Sequence, residues 1–420
     1  MMRVWRHRPR RGGHVLPLRG HHHRSYTDTL RSRCNKHPVE RQFRRPIRHL
    51  SPSTANGWIF ERPRRRTCMR VAVVAMETSQ YRDTVGRTRL ERVATELAAA
   101  GHDVTVFCSQ WWPGFDNQRE RDGVTYRAVT VSPTVPSFCV RLPAMLARFR
   151  PDVVHVHPTP SSVALAAKTG ATLSRAPLLT EWYGDEDVPE SRRANLALRA
   201  SDCLVTPSEL VRTRVRERGA TADQTAILPQ SIDMDLVREV DPDEEIDVVY
   251  AHRLDGSANV ESLLLGLAEL RQKGWSATII GDGPEREYYE QEAADLRIDD
   301  RVTFAGACDI EERVSIYKGA HVFVQTAFRE CFATDLLWAM ACGCIGIVEY
   351  QAESSAHELI EQRDRAFRVT NPQEIADKIA ESADFERRTV DESCAEFDHA
   401  QVRAEYEDLY ESRIEETGLF

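Results

Sequence analysis

Ile279-Ile-Gly-Asp-Gly-Pro284 decides how this chain is to be read. Two β-branched residues close a strand, and a Gly-x-Gly turn follows. Pro284 is then expected at the first position of a helix, where a missing amide proton costs nothing. Glycines at 281 and 283 let the backbone come close to something, either a ligand or simply its own tight turn. A strand feeding a helix through such a turn is half of a βαβ unit, so the flanking sequence should alternate short apolar strands with helices.

It does so in both directions. Around the motif, strands are expected at Ile246–Ala251, Ser276–Ile280, Val302–Phe304, His321–Gln325 and Ile345–Val348. Helices are expected at Val260–Gln272, Glu285–Leu296, Ile310–Tyr317, Ala333–Ala341 and Ser354–Glu361. Upstream, the plan repeats with strands at Val71–Met76, Asp103–Cys108, Val124–Val131, Asp152–His157, Pro177–Thr180 and Asp202–Thr206. A helix is expected over Arg87–Ala100, where Leu90, Val93, Ala94, Leu97 and Ala98 recur at helical spacing before Gly101. The fold class is therefore α/β, with two doubly wound, Rossmann-like domains facing across a cleft. The expected boundaries are 69–229 for an acceptor domain, 230–390 for a donor-nucleotide domain, and 391–420 for a helical segment packing back toward the first. Ligands of such sheets bind outside the carboxyl ends of the strands.

The net charge of −9 over 420 residues conceals two unlike parts. Residues 1–68 hold 18 Lys and Arg against 3 Asp and Glu, leaving 38 against 62 for the remainder. The basic stretch, with Arg62-Pro-Arg-Arg-Arg and the run His21-His22-His23, has no hydrophobic periodicity and cannot bury a core. It reads as disordered and as an upstream extension that the working protein lacks, with an Arg-rich transit peptide or a nucleic-acid arm as the other readings. No nucleic-acid partner is expected for the body. The acidic body uses few lysines, only Lys168, Lys273, Lys318 and Lys378, which points to a halophilic, haloarchaeal source. The ten cysteines include no C-x-x-C pair; Cys342-Gly-Cys344 is too tight for a zinc knuckle, and reduced thiols in a cytoplasm are expected. No apolar run is long enough to span a bilayer.

Several residues fall where chemistry is expected. Arg253 directly follows the strand ending at Ala251, placed to grip a phosphate or to pair with Asp255 on the surface. Glu330 opens the helix that carries Asp335 and Trp338, where carboxylates meet free helix amides. Tyr183 and Glu181 lie in Thr180-Glu-Trp-Tyr-Gly-Asp185 at another strand end. The stretch Ser137–Arg150 reads as an amphipathic helix with Phe138, Leu142, Met145, Leu146 and Phe149 on one side, suited to the core or to an anionic membrane.

From Met69 onward the chain resembles the retaining GT-B glycosyltransferases of family 4. The resemblance rests on Arg253-Leu254, Gly281-Asp-Gly-Pro284, Val302-Thr-Phe-Ala-Gly306 and Glu330-Cys-Phe followed by Ala339-Met-Ala-Cys-Gly343. It implies a nucleotide-sugar donor, no metal, and a glycan or polyprenyl-phosphate-linked acceptor. It also implies a cytoplasmic enzyme, peripheral at the inner face of the membrane. By the resemblance, Arg253 holds the diphosphate, Gly281, Asp282 and Gly283 form the donor-side turn, Gly306 serves the base, and Glu330 holds the transferred sugar. The sequence departs from the family at four places. Trp338 replaces the ribose-binding glutamate, and Ala258 replaces a lysine. Tyr183 stands where a histidine is expected, and Met76-Glu-Thr-Ser replaces a glycine-rich loop. The expected substitutes are Trp338 stacking on a ring, Asp335 reaching the ribose, and Tyr183 acting as the catalytic polar group of the cleft. The alternatives are a catalytically silent GT-B scaffold partner of another transferase, or a GT-B epimerase or phosphorylase.

Overall fold

A computed structural model of the chain describes residues 68–418, apart from 187 and 271–273. The readings made for the basic stretch lie outside the described residues. The described residues fall within one compact unit, Pro63–Phe420.

The first sheet is built from β1 (Arg70–Val74), β2 (Asp103–Ser109), β3 (Gln118–Arg121), β4 (Val124–Thr130), β5 (Val153–Val156), β6 (Leu178–Glu181), β7 (Cys203–Thr206) and β8 (Thr225–Ile227). Its order is β3-β4-β2-β1-β5-β6-β7-β8, and every pair is parallel except the β3–β4 hairpin. The second sheet contains β9 (Ile246–Ala251), β10 (Ala277–Ile280), β11 (Val302–Gly306), β12 (Ala320–Gln325), β14 (Ile345–Glu349) and β16 (Ala366–Val369). Its order is β11-β10-β9-β12-β14-β16, the doubly wound arrangement, with the strand order reversing between β9 and β12. A two-stranded ribbon joins β13 (Arg329–Glu330) to β15 (Glu353–Ser354) beside that reversal.

Strand alternation explains the layers. Val71 and Val73 of β1 face one core and Ala72 and Val74 the opposite one; in β9, Val248 and Tyr250 face away from Val249 and Ala251. Both faces are covered, so the strands read as continuous apolar runs. Ser191, Ser208, Asp233, Asp309 and Asn371 each cap a helix through their side chains.

Some expectations need correction. Ser354–Glu361 is not a helix; the edge ribbon takes Ser354, and only a 3-10 turn, Ala356–Leu359, follows. The helix from Val260 ends at Ala268, and Gln272 lies outside the described residues. Strands β3, β8 and β16 went unread, each being short and none fully buried. The amphipathic helix runs Val135–Phe149 and turns Phe138, Leu142 and Leu146 into the core, so the apolar face offered for membrane contact is already covered.

The last helix, His399–Gly418, packs Val402, Tyr406 and Tyr410, four residues apart on one face, against Met69, Val71 and Leu90 of the first half. The halves also meet elsewhere. Glu358 accepts from the amides of Glu209 and Leu210, both at 2.8 Å, and so caps the helix Glu209–Glu217 from the opposite half. Glu358→Ala is expected to lower stability by about 0.5–2 kcal/mol, the usual worth of a lost helix cap, read as a lower denaturation midpoint.

Candidate donor site

Beyond β9 the chain turns through His252, Arg253, Leu254 and Asp255. Asp255 accepts from the Ser257 amide (2.9 Å) and hydroxyl (2.6 Å), which fixes the turn. Burial opposes ionisation of Asp255, but the Ser257 bonds outweigh it and hold its carboxyl below the ordinary range. Arg253 lies at the mouth, 71% exposed, with Nε 3.3 Å from Asp255. It is thus a surface pair whose fork faces solvent.

The glycine turn after β10 is stitched to this loop. The Leu254 amide donates to the Asp282 carbonyl (3.1 Å) and the Glu285 amide to the Leu254 carbonyl (3.0 Å). A Cβ on Gly281 would lie 1.9 Å from the His252 carbonyl oxygen, and one on Gly283 would lie 2.2 Å from that of Leu254. The close approach expected of a ligand is therefore occupied by the protein's own backbone. Asp282 is exposed and accepts from the Gly283 amide at 2.8 Å. Gly306 ends β11 at φ +83° and accepts from the Gly281 amide at 2.7 Å. Gly281→Ala is expected to cost more than about 2 kcal/mol, since the new methyl overlaps backbone that has no room to move, with a falling melting temperature as the readout.

Reading residue by residue missed His252. Its Nε2 lies 3.2 Å from Glu330 Oε1, and its Nδ1 lies 2.7 Å from the Arg253 carbonyl oxygen. Both ring nitrogens face acceptors, so both bonds form only when the ring carries two protons. Burial disfavours that charge, but the bond to Glu330 and its negative field prevail and raise the His252 pKa. Burial in turn raises the Glu330 pKa, against the pull of His252. Gln325 approaches the same carboxylate oxygen at 3.4 Å. The only signal available in the sequence was position, one residue past the strand in Ala251-His-Arg-Leu254.

Glu330 is followed by the helix Thr334–Ala341, whose N-cap residue, Ala333, supplies no side-chain cap. Helix amides left in this way favour an anion. Asp335 in its first turn accepts from Arg313 (2.9 Å) and the Tyr317 hydroxyl (2.8 Å), so reaching a ribose would mean sharing those bonds. Trp338 is 7% exposed and packs in the core with Leu336 and Met340, which leaves little ring to stack on a ligand. Ala258 is fully buried. Tyr183 is buried too, its phenol paired with the Thr334 side chain and its ionisation strongly disfavoured by burial. It supports the Glu330 segment from behind and does not line an open cleft. Glu181 is sequestered in the first core, bonded to Arg89 at 2.7 Å.

Two doubly wound sheets, with a histidine–carboxylate couple at the strand reversal of the second, define a GT-B architecture. Residues 234–393 match the family described as glycosyl transferases group 1, and residues 85–230 match the glycosyl transferase 4-like domain. The two matched domains, one in each half, make the chain a transferase enzyme of GT-B fold. The D-inositol 3-phosphate glycosyltransferase of Acidothermus cellulolyticus is 26% identical to it over 337 residues, spanning 66% of this chain and 74% of that protein. A glycosyltransferase from Rickettsia africae shares its fold with a TM-score of 0.67 at 14% identity, over 83% of this chain and 99% of that one. Anabaena HepE, solved with UDP, does so with a TM-score of 0.62 at 16% identity, over 82% and 100%. No described helix is long and apolar enough to cross a membrane.

Proposed function

We propose that the protein transfers a hexose from a nucleoside-diphosphate sugar to a hydroxyl of a glycan or lipid-linked acceptor, with retention of configuration and without a metal. It would work in the cytoplasm, at the inner membrane face where the acceptor is lipid-linked. The observation that carries this reading is the His252–Glu330 couple standing directly before the uncapped helix Thr334–Ala341. Glu330 holds hydroxyls of the donor sugar, and His252 keeps its carboxylate ionised and oriented. The diphosphate sits against the helix amides and the Arg253 fork, which neutralise the leaving group in a metal's place. The base lies near Gly306. The UDP bound to Anabaena HepE supports a nucleotide donor on this fold.

The test is a thermal-shift series on the full chain in high salt with UDP, GDP, ADP, TDP and their sugars. One base should raise the melting temperature, because a ligand held at about 100 times its Kd adds about 2.7 kcal/mol to the native state. That shift should shrink in Arg253→Ala. No shift at millimolar nucleotide, together with no donor turnover, overturns the reading and leaves the buried Trp338 and Ala258 as the reason.

A further inference from the structure

The first sheet reverses its strand order between β1 and β5, and a cavity of about 250 Å³ lies against the loops that follow them. Glu77, Arg82, Arg87, His157, Asp185 and Glu186 help to line it. His157 is 2% exposed. Its Nδ1 faces the Thr159 hydroxyl at 3.0 Å and amide at 3.3 Å, two donors, and the Thr159 carbonyl only at 3.4 Å, so the closer contacts favour a ring proton on Nε2. Burial and the nearby Arg87 charge keep that ring neutral, with a pKa lowered to about 4. Arg87 is 6% exposed and pairs with Glu77 at 3.2 Å. Asp185 accepts from the Gly86 amide at 3.2 Å through one oxygen. Glu186 accepts from the amides of Tyr183 and Gly184, and burial with the Asp185 charge pushes its carboxyl up to about 8.

Three buried polar atoms around this one cavity have no partner: His157 Nε2, Arg87 Nε and Asp185 Oδ1. Such atoms occur elsewhere among the described residues, several of them arginine Nε, but the convergence of two donors and an acceptor on one cavity points to a ligand. Two of them are donors and one is an acceptor. A hydroxyl satisfies either kind, whereas a phosphate only accepts and would face Asp185 and Glu77. The arginine charges are matched by those two carboxylates, so no net positive field awaits an anion. The loop Tyr183–Glu186 connects the cavity to the donor side, since Tyr183 pairs with Thr334 while Asp185 and Glu186 line the cavity.

We propose that this cavity is the acceptor subsite and that it takes a neutral polyol ring bearing adjacent hydroxyls, and not a phosphorylated group. The assignment rests on the transferase reading above. The experiment is a ligand-observed NMR titration of the full chain with the methyl glycosides of glucose, galactose and mannose and with their 6-phosphates. One neutral glycoside should bind, and its 6-phosphate should bind no more tightly. His157→Phe, which fills the cavity and removes a donor, should weaken that glycoside about tenfold or more. Glu77→Gln strips Arg87 of its counter-charge and should shift preference toward the 6-phosphate by about tenfold. Tighter binding of the phosphate by the unaltered protein overturns the proposal. So does the absence of any glycoside binding, or an affinity unchanged in both His157→Phe and Asp185→Asn when their melting transitions are intact. Nucleotide thermal shifts on the same samples separate the two readings. Nucleotide binding without glycoside binding sinks only the subsite, whereas glycoside binding without nucleotide binding sinks only the transferase reading.

Discussion

Arg89→Met will destabilise the protein by about 3–5 kcal/mol, the largest loss expected of any single side chain here. Arg89 is 1% exposed, although it carries a full charge. Its Nε donates to Glu181 at 2.7 Å, Nη1 to the Pro229 carbonyl at 2.9 Å, and Nη2 to the Leu228 carbonyl and the Tyr406 hydroxyl, both at 2.7 Å. One guanidinium thus ties the first sheet to the segment joining the two halves and to the returning last helix. Removing it strands the fully buried Glu181 with only His155 (3.1 Å) and Tyr406 (3.0 Å) as partners. Urea denaturation at neutral pH measures the loss. Arg89→Met combined with Glu181→Gln should recover part of it, because the lone buried charge is then gone.

The same network sets an acid limit. Burial alone would raise the Glu181 pKa, but the Arg89 charge and the His155 bond overturn that and lower it from 4.5 to about 2. A depressed folded pKa contributes stability that is fully present above pH 4.5 and is lost as pH falls toward 2. Stability measured between neutral pH and that window should therefore decline in the natural protein. The decline should be shallower in the doubly substituted one, which no longer has the Glu181 carboxylate to protonate.

The architecture was legible because parallel strands covered on both faces leave unbroken runs such as Val71–Met76, and helices leave a periodic face such as Leu90, Val93 and Leu97. What escaped was edge structure. The strand Gln118–Arg121 is wholly exposed, so it carries no apolar signal at all. The candidate site was half legible. Strand ends could be located, which singled out Arg253 and Glu330, but the partner of a side chain is a tertiary fact. His252 is significant only because β13 brings Glu330 to its ring. Glu181 and Tyr183 read as cleft groups because strand ends usually face ligands, yet here the last helix and the second half cover them. Likewise the spacing of Gly281 and Gly283 correctly signalled a close approach, without revealing that the approaching atom is the His252 carbonyl oxygen.

Glu330→Ala will lower kcat/KM for sugar transfer by about 10²–10³-fold, the usual cost of removing one preorganised polar group from a reacting centre. Affinity for the sugar-free nucleoside diphosphate should stay within about twofold, since the helix amides and Arg253 are untouched. The fold should also survive, because the Glu330 side chain is 20% exposed and His252 keeps its bond to the Arg253 carbonyl. Equal losses of nucleotide and sugar-nucleotide binding would instead mean that Glu330 shapes the whole site. His252 adds a second, independent sign. Its raised pKa means that the doubly protonated ring, which bonds Glu330 and the Arg253 carbonyl together, persists above the ordinary histidine range and is lost as pH rises through the shifted value. Transfer should therefore fall along an alkaline limb, and His252→Gln, which cannot titrate, should flatten that limb while lowering the plateau about tenfold. If the limb persists in His252→Gln, another group titrates, and His252 does no more than pack beside Glu330.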